Sequence, residues 1–232
     1  MNSAASDNGG TGHDCGTGVP PVNHGPEAHA TRPPLRLAVL ASGSGSNLQA
    51  ILDKIASGEL NAKVTVVISN NSDSFALERA RKAGVEAVQW SEKKAGSPER
   101  FTQRLLDILR QAQADLVVLA GYMKLIPKEV VRAFPGRMIN IHPALLPKFG
   151  GPGFYGMRVH EAVLAAGEKE SGATVHFVDA EYDHGAILMQ RAVPVHPDDT
   201  PERLRERVLA VEHELLPAAI AKFAREYWKR KH

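Results

Sequence analysis

An amide and an imidazole two residues apart, Asn140 and His142, are the strongest chemical signal in the chain. They close the run Met138-Ile139-Asn140-Ile141-His142, in which apolar and polar residues alternate until Pro143 stops it. Period-two alternation predicts a strand, and Pro143 has no N–H to continue a ladder. Both polar side chains therefore point to one side near the strand's carboxyl end, which is where ligands sit in open α/β sheets. The pair suits acyl transfer, because an amide donor can polarise a carbonyl while an imidazole handles a proton. On spacing alone, the two could equally be polar groups that cap a loop.

Two further segments could join them. Ala41-Ser42-Gly43-Ser44-Gly45-Ser46-Asn47 is a glycine turn leading into a helix, whose free N–H groups attract an anion. Neither nucleotide fingerprint fits: Leu48 stands where a third glycine would fall, and no Gly-Lys-Ser/Thr follows. The next strand ends in Asn70-Asn71, with no acid to hold a ribose, so a simple phosphate monoester suits the turn better than a dinucleotide. The second segment runs from Gly172 to Ile187 and combines a strand with an acidic turn. Its Asp183 is either an ordinary turn residue or a carboxylate that folds back onto His142.

These residues need a frame, and the patterning supplies one. Strands are expected at 35–41, 64–69, 86–89, 116–120, 138–142, 173–178 and 186–193. Helices are expected at 47–57, 75–83, 99–113, 128–134, 159–166 and 201–218, the last starting at Pro201 behind Thr200 as N-cap. Strand–helix alternation predicts a single α/β domain, Rossmann-like, with a mostly parallel sheet covered by helices on both faces. The last two strands leave no room for a helix between them, so an antiparallel addition is expected at the carboxyl end.

Composition narrows the function classes. The chain has 232 residues, 43% hydrophobic and 23% charged, with net charge +2 and one cysteine. This is an ordinary globular make-up; no basic, aromatic-laced stripe points to nucleic acid, and no apolar run points to a membrane. A single cysteine excludes an internal disulfide framework and a cysteine-built metal site, and it fits a reducing compartment. Residues 1–34 carry six glycines and five prolines with almost no large apolar side chain. They are expected to be a disordered extension, Cys15, His13, His24 and His29 included, ahead of a domain spanning 35–232. With no signal-peptide core in evidence, a cytoplasmic location is expected.

Taken in order, the glycine turn Gly43-Ser-Gly-Ser-Asn47, Leu119-Ala-Gly-Tyr-Met123, Asn140-Ile-His-Pro-Ala-Leu-Leu-Pro147 and Val175-His-Phe-Val with Asp183 closely resemble the phosphoribosylglycinamide formyltransferase family, from about Leu35 to Phe223. The resemblance implies that family's fold, with a formyl group passing from 10-formyltetrahydrofolate to the amine of glycinamide ribonucleotide in purine synthesis. It implies no metal, small-molecule partners only, and a monomer or homodimer. Asn140 and His142 would bind the formyl oxygen, with His142 as proton donor, while Asp183 would raise the imidazole's pKa and help move a proton through water. Gly45, Ser46 and Asn47 would hold the substrate phosphate. Tyr122, Met123, Lys124, Leu125 and Ile126 would line the folate pocket, with the acidic turn 179–183 on its other side, and Glu212 would contact the ribosylglycinamide.

The chain departs from that pattern in two places. The loop from Lys148 to His160 is longer than in the shortest members, and Lys148 and His160 could reach substrate. Where an arginine usually precedes the helix at Glu99, an ungapped match gives Pro98, leaving Arg100 or Arg104 as substitutes. The rivals are another formyl-folate enzyme (a hydrolase, or a transferase acting on methionyl-tRNA or a nucleotide sugar), a non-catalytic phosphate-binding module, and a dinucleotide oxidoreductase. A metal site from His142, His176 and Asp183 is a weak competitor.

Overall fold

The computed structural model describes residues 32–179 and 183–231. The expected disorder of the amino-terminal extension concerns residues that, up to 31, lie outside that range.

In chain order the elements are β1 (Leu35–Leu40), α1 (Ser46–Ala56), β2 (Ala62–Ser69), α2 (Phe75–Lys82), β3 (Glu86–Gln89), α3 (Glu92–Ala95), α4 (Pro98–Gln111), β4 (Leu116–Leu119), α5 (Lys128–Ala133), β5 (Met138–His142), α6 (Met157–Ala165), β6 (Glu170–Phe177), β7 (Ile187–Pro194) and α7 (Pro201–Lys231). The strands form one sheet in the order β3-β2-β1-β4-β5-β6-β7. β1 to β5 are parallel, β6 runs against β5, and β7 runs against β6. The chain moves outward from β1 to β3 and then returns to β4, so the strand order reverses between β1 and β4. Their carboxyl ends flank the crevice that such a reversal opens.

Side-chain alternation divides the core into two layers. Leu35, Leu37 and Val39 of β1 pack with Leu48, Ile51, Leu77 and the buried face of α7. Ala38 and Leu40 face the other way, onto Phe101, Leu105 and Leu109 of α4 and Val130 of α5. β4, Leu-Val-Val-Leu, is buried along its whole length, as a strand covered on both faces must be. α4 starts cleanly because the Ser97 side chain accepts the Arg100 N–H at 3.2 Å and Pro98 occupies the first turn.

The expected antiparallel addition is present as the last two strands, with β6 running against β5 and β7 against β6. One boundary needs correction. α7 does not stop near residue 218 but continues through Pro217 to Lys231. An interior proline costs about 3 kcal/mol. Burial of Leu215, Leu216, Ile220 and Phe223 around it, at about 1.5–3 kcal/mol each, outweighs that. The single turn α3 was not foreseen; it exists because Ser91 caps it. Among the described residues, no helix is long and apolar enough to cross a membrane.

Candidate active site

The crevice at the strand reversal is a cavity of about 510 Å³. Its floor is β5. Asn140 and His142 stand on one face of that strand, and β6 places His176 directly opposite Asn140 and Thr174 opposite His142. Thr174 also secures the chain beyond His142, donating its hydroxyl to the Ala144 carbonyl at 2.6 Å and accepting the Leu146 N–H at 3.1 Å.

Asp183 closes the group. It sits at φ 53°, a left-handed conformation unusual for a non-glycine residue and often found where a site demands it. Its Oδ1 accepts the Asn140 amide at 3.3 Å and lies 3.4 Å from His176 Nε2. Its Oδ2 accepts the Gly151 N–H at 3.0 Å and lies 3.5 Å from His142 Nδ1. The loop can come this close because residue 150 is glycine: a Cβ there would fall 2.5 Å from Leu146 Cδ2 and 3.3 Å from Asp183 Cβ. His176 Nδ1 faces the Phe177 carbonyl at 2.9 Å and donates to it, while Nε2 lies between Asn140 Nδ2, at 3.1 Å, and Asp183. His142 Nε2 faces the Phe149 carbonyl at 2.7 Å.

At His142 the pull of Asp183, in the expected direction, meets the opposing effect of burial. Burial pulls the His142 imidazole below its ordinary pKa, and the pull upward from Asp183 and the Phe149 carbonyl does not fully offset it. Asp183 therefore acts in the expected direction without winning. Burial alone would push Asp183 up, but contact with His176, the charge of His142 and the Gly151 N–H hold it below the usual carboxylate range. The His142 proton belongs on the Phe149 side, leaving the Nδ1 lone pair facing a carboxylate. Uptake of a second proton turns that repulsion into an ion pair, so Nδ1 is the atom at which the ring takes up a proton, against the cost that burial sets on the charged form.

The glycine turn forms the next wall. Gly45 precedes α1 at φ 69°, and a Cβ there would lie 2.7 Å from Ala76 Cα, so glycine is needed for α2 to pack against the turn. Ser46 and Asn47 begin α1 with no side-chain cap, leaving its first N–H groups facing the cavity. Asn47 Nδ2 donates to Glu212 Oε2 at 2.6 Å. Burial pushes the Glu212 carboxyl up to about 7, against smaller opposing effects of Asn47 and Arg205. Asn70 and Asn71 act as braces: Ser42 donates its hydroxyl to Asn70 Oδ1 at 2.6 Å, and Asn71 Nδ2 donates to the Ser42 carbonyl at 2.6 Å. The Ser42 hydroxyl also accepts the Met123 N–H at 2.8 Å, tying the turn to the loop after β4.

That loop is the third wall. Tyr122 and Ile126 are buried, whereas Met123, Lys124 and Leu125 are exposed at the mouth, and all five line the cavity. Burial pushes the Tyr122 phenol up to about 12, so it remains a hydrogen-bond donor. The cavity thus brings together Asn140, His142 and Asp183, the glycine turn, the loop after β4 and Glu212.

Other expectations fare differently. His160 lines the cavity, but Lys148 points away and pairs with Glu168 at 2.8 Å. Arg100 and Arg104 are exposed on α4 and do not line the cavity. Among the described residues, no group of three or more histidine, cysteine or acidic side chains is arranged to hold a metal. Sequence reasoning missed Arg205 and Leu209 of α7, and it treated His176 only as a metal ligand. The alternation Val175-His176-Phe177 marks His176 as facing one side of its strand. Its meeting with Asn140 followed only once the direction of β6 was known.

Comparison with known proteins agrees with this geometry. Residues 35–220 match the family model described as formyl transferase. Over 216 residues the chain is 43% identical to the chloroplastic phosphoribosylglycinamide formyltransferase of Vigna unguiculata, covering 92% of this chain and 69% of that protein. It is 38% identical to the Escherichia coli phosphoribosylglycinamide formyltransferase, covering 82% and 87%. The chain belongs to the phosphoribosylglycinamide formyltransferase family. The solved glycinamide ribonucleotide transformylase 1 of Symbiobacterium toebii superposes with a TM-score of 0.78 at 46% identity, covering 83% of this chain and 89% of that one. As a member of the family, the chain has the family's sheet, parallel apart from its carboxyl-terminal strands.

Proposed function

We propose that the chain transfers the formyl group of 10-formyltetrahydrofolate to the amine of glycinamide ribonucleotide, with Asn140, His142 and Asp183 as its catalytic residues. The observation that carries this reading is the convergence of the three, at 3.3–3.5 Å, in a cavity shared with a free helix start and an apolar loop. The α1 start with Gly45, Ser46 and Asn47 takes the phosphate, Glu212 the ribosylglycinamide, and the loop from Tyr122 to Ile126 the folate.

Attack of the amine on the formyl carbon gives a tetrahedral centre with an oxyanion and a charged nitrogen. Asn140 turns an N–H from Asp183, at 3.3 Å a long bond, onto that oxyanion. A well-aimed donor of this kind contributes about 3–4 kcal/mol. His142 takes the amine's proton at Nδ1, where Asp183 stabilises the imidazolium, and returns it to the departing folate nitrogen. No metal is required by these steps. A cytoplasmic location belongs to the same proposal, and residues 1–34 take no part in turnover.

The deciding experiment supplies the purified protein with 10-formyltetrahydrofolate and, in parallel, glycinamide ribonucleotide, water alone, charged tRNA or amino sugars. Formyl transfer to glycinamide ribonucleotide alone is expected. Equal release of tetrahydrofolate without an acceptor would make the protein a hydrolase and overturn the proposal.

A further inference from the structure

Three arginines alternate along the first two turns of α7, and only two of them are tied down. Arg203 Nη1 bonds Asp198 Oδ2 at 3.0 Å, and Arg207 grips both oxygens of Asp199 at 2.6 and 2.8 Å. Arg205, between them, makes no hydrogen bond or ion pair among the described residues and lines the cavity instead. With Leu209 and Glu212 it follows the i, i+4, i+7 spacing that sets residues on one helix face, and all three border the cavity.

The surroundings call for an anion. The glycine turn has no lysine of the kind a P-loop uses, and a helix start offers only about half a positive charge against a phosphate carrying nearly two negative ones. Among the described residues lining the cavity, the fixed cations are Arg205 and Lys124, and Lys124 belongs to the loop after β4. Two lining residues also hold buried polar atoms with no partner: His160 Nδ1, in a residue 2% exposed, and Asn47 Oδ1, in a residue 7% exposed. The Arg205 charge is felt at both His160 of α6 and Glu212 of α7, and all three residues line the same cavity.

We infer that Arg205 is the side-chain cation for the phosphate of the ribosyl substrate, and so sets the preference for a phosphorylated acceptor over its dephosphorylated form. This rests on the proposed function. A guanidinium fork matches phosphate oxygens, whereas an ammonium serves only as a point charge. His160 adds a neutral N–H beside it.

The test compares wild type, Arg205→Gln and Arg205→Lys, with glycinamide ribonucleotide and its dephosphorylated form as acceptors. Arg205→Gln should raise KM for the phosphorylated acceptor about 10- to 100-fold. Its kcat and the KM for formyl-folate should stay within about twofold, as should kcat/KM for the dephosphorylated acceptor. Arg205→Lys should recover part of the loss. A fall in kcat without the KM change would overturn the inference. Calorimetry with ribose 5-phosphate separates this result from the formyl chemistry. Equal binding by wild type and Arg205→Gln overturns the phosphate contact and leaves formyl transfer standing. Binding lost in the variant, in a protein that transfers no formyl group, supports the contact and overturns the proposed function.

Discussion

Two aspartates at opposite ends of the sheet are both largely buried and both gather donors from distant parts of the chain, yet they serve different ends. Asp115, 3% exposed, accepts the Arg36 N–H at 3.1 Å and the Arg36 guanidinium at 3.0 Å through both oxygens, and the Tyr227 hydroxyl at 2.8 Å. Asp183 is met by two imidazoles and two amide donors at 3.0–3.5 Å. An arginine never releases its proton, so the first carboxylate is a fixed strut. Imidazoles exchange protons near neutral pH, so the second can answer a change of charge in a ligand. The company of a buried carboxylate, more than its depth, decides its role.

The sharpest break of this contrast is a matched pair of variants. Asp183→Asn should lower turnover about 10³-fold, in the range that proton handling contributes, with little loss of stability. Asp115→Asn should leave turnover within about twofold while costing about 2 kcal/mol in urea unfolding. That figure is modest because the Arg36 side chain is 39% exposed. Reversed outcomes would show the two sites to be misassigned.

His142→Ala should also reduce turnover by about 10² to 10⁴-fold. Combined with Asp183→Asn it should add little, because residues that act as one unit are non-additive. Full additivity in steady-state kinetics would mean that the two work independently.

Glu212 extends the comparison to a carboxylate whose close partner is an amide. The native protein keeps its proton up to about pH 7, whereas the unfolded chain releases it near the ordinary 4.5. Between these values the native state binds more protons, so stability is fully present below 4.5 and declines as pH rises to 7, by up to about 3 kcal/mol. Glu212→Gln should flatten that slope in ligand-free unfolding curves and make the protein more stable than wild type at pH 8. The smallest effect belongs to Tyr227→Phe, expected to cost about 1 kcal/mol with activity unchanged.

Much of this was legible in the sequence because it depends on short-range patterns. The run Met138–His142 fixed both a strand and the side on which Asn140 and His142 stand, and the glycine turn announced a helix start. What escaped were pairings made by distant segments. Nothing local to Val175-His176-Phe177 reveals which way its strand runs, so His176 could not be matched to Asn140. Arg205 looked like one charge among many on a helix, and only the ion pairs that occupy Arg203 and Arg207 set it apart. The upward pull of Asp183 on His142 is legible in the motif, whereas the burial that outweighs it is a property of the whole fold.

Helix α7 carries a mechanical consequence. Its 31 residues extend about 46 Å, of which the roughly 33 Å from Arg205 to Tyr227 carry it from the cavity to the opposite end of the central strands, where Asp115 moors it to the first and fourth strands. Anchored at its distal end and packed on both sides of Pro217, the helix holds its ligand-facing side in place. Adjustment to a bulky ligand then falls to the loops around 121–126 and 151–156, which line the cavity from outside the helices.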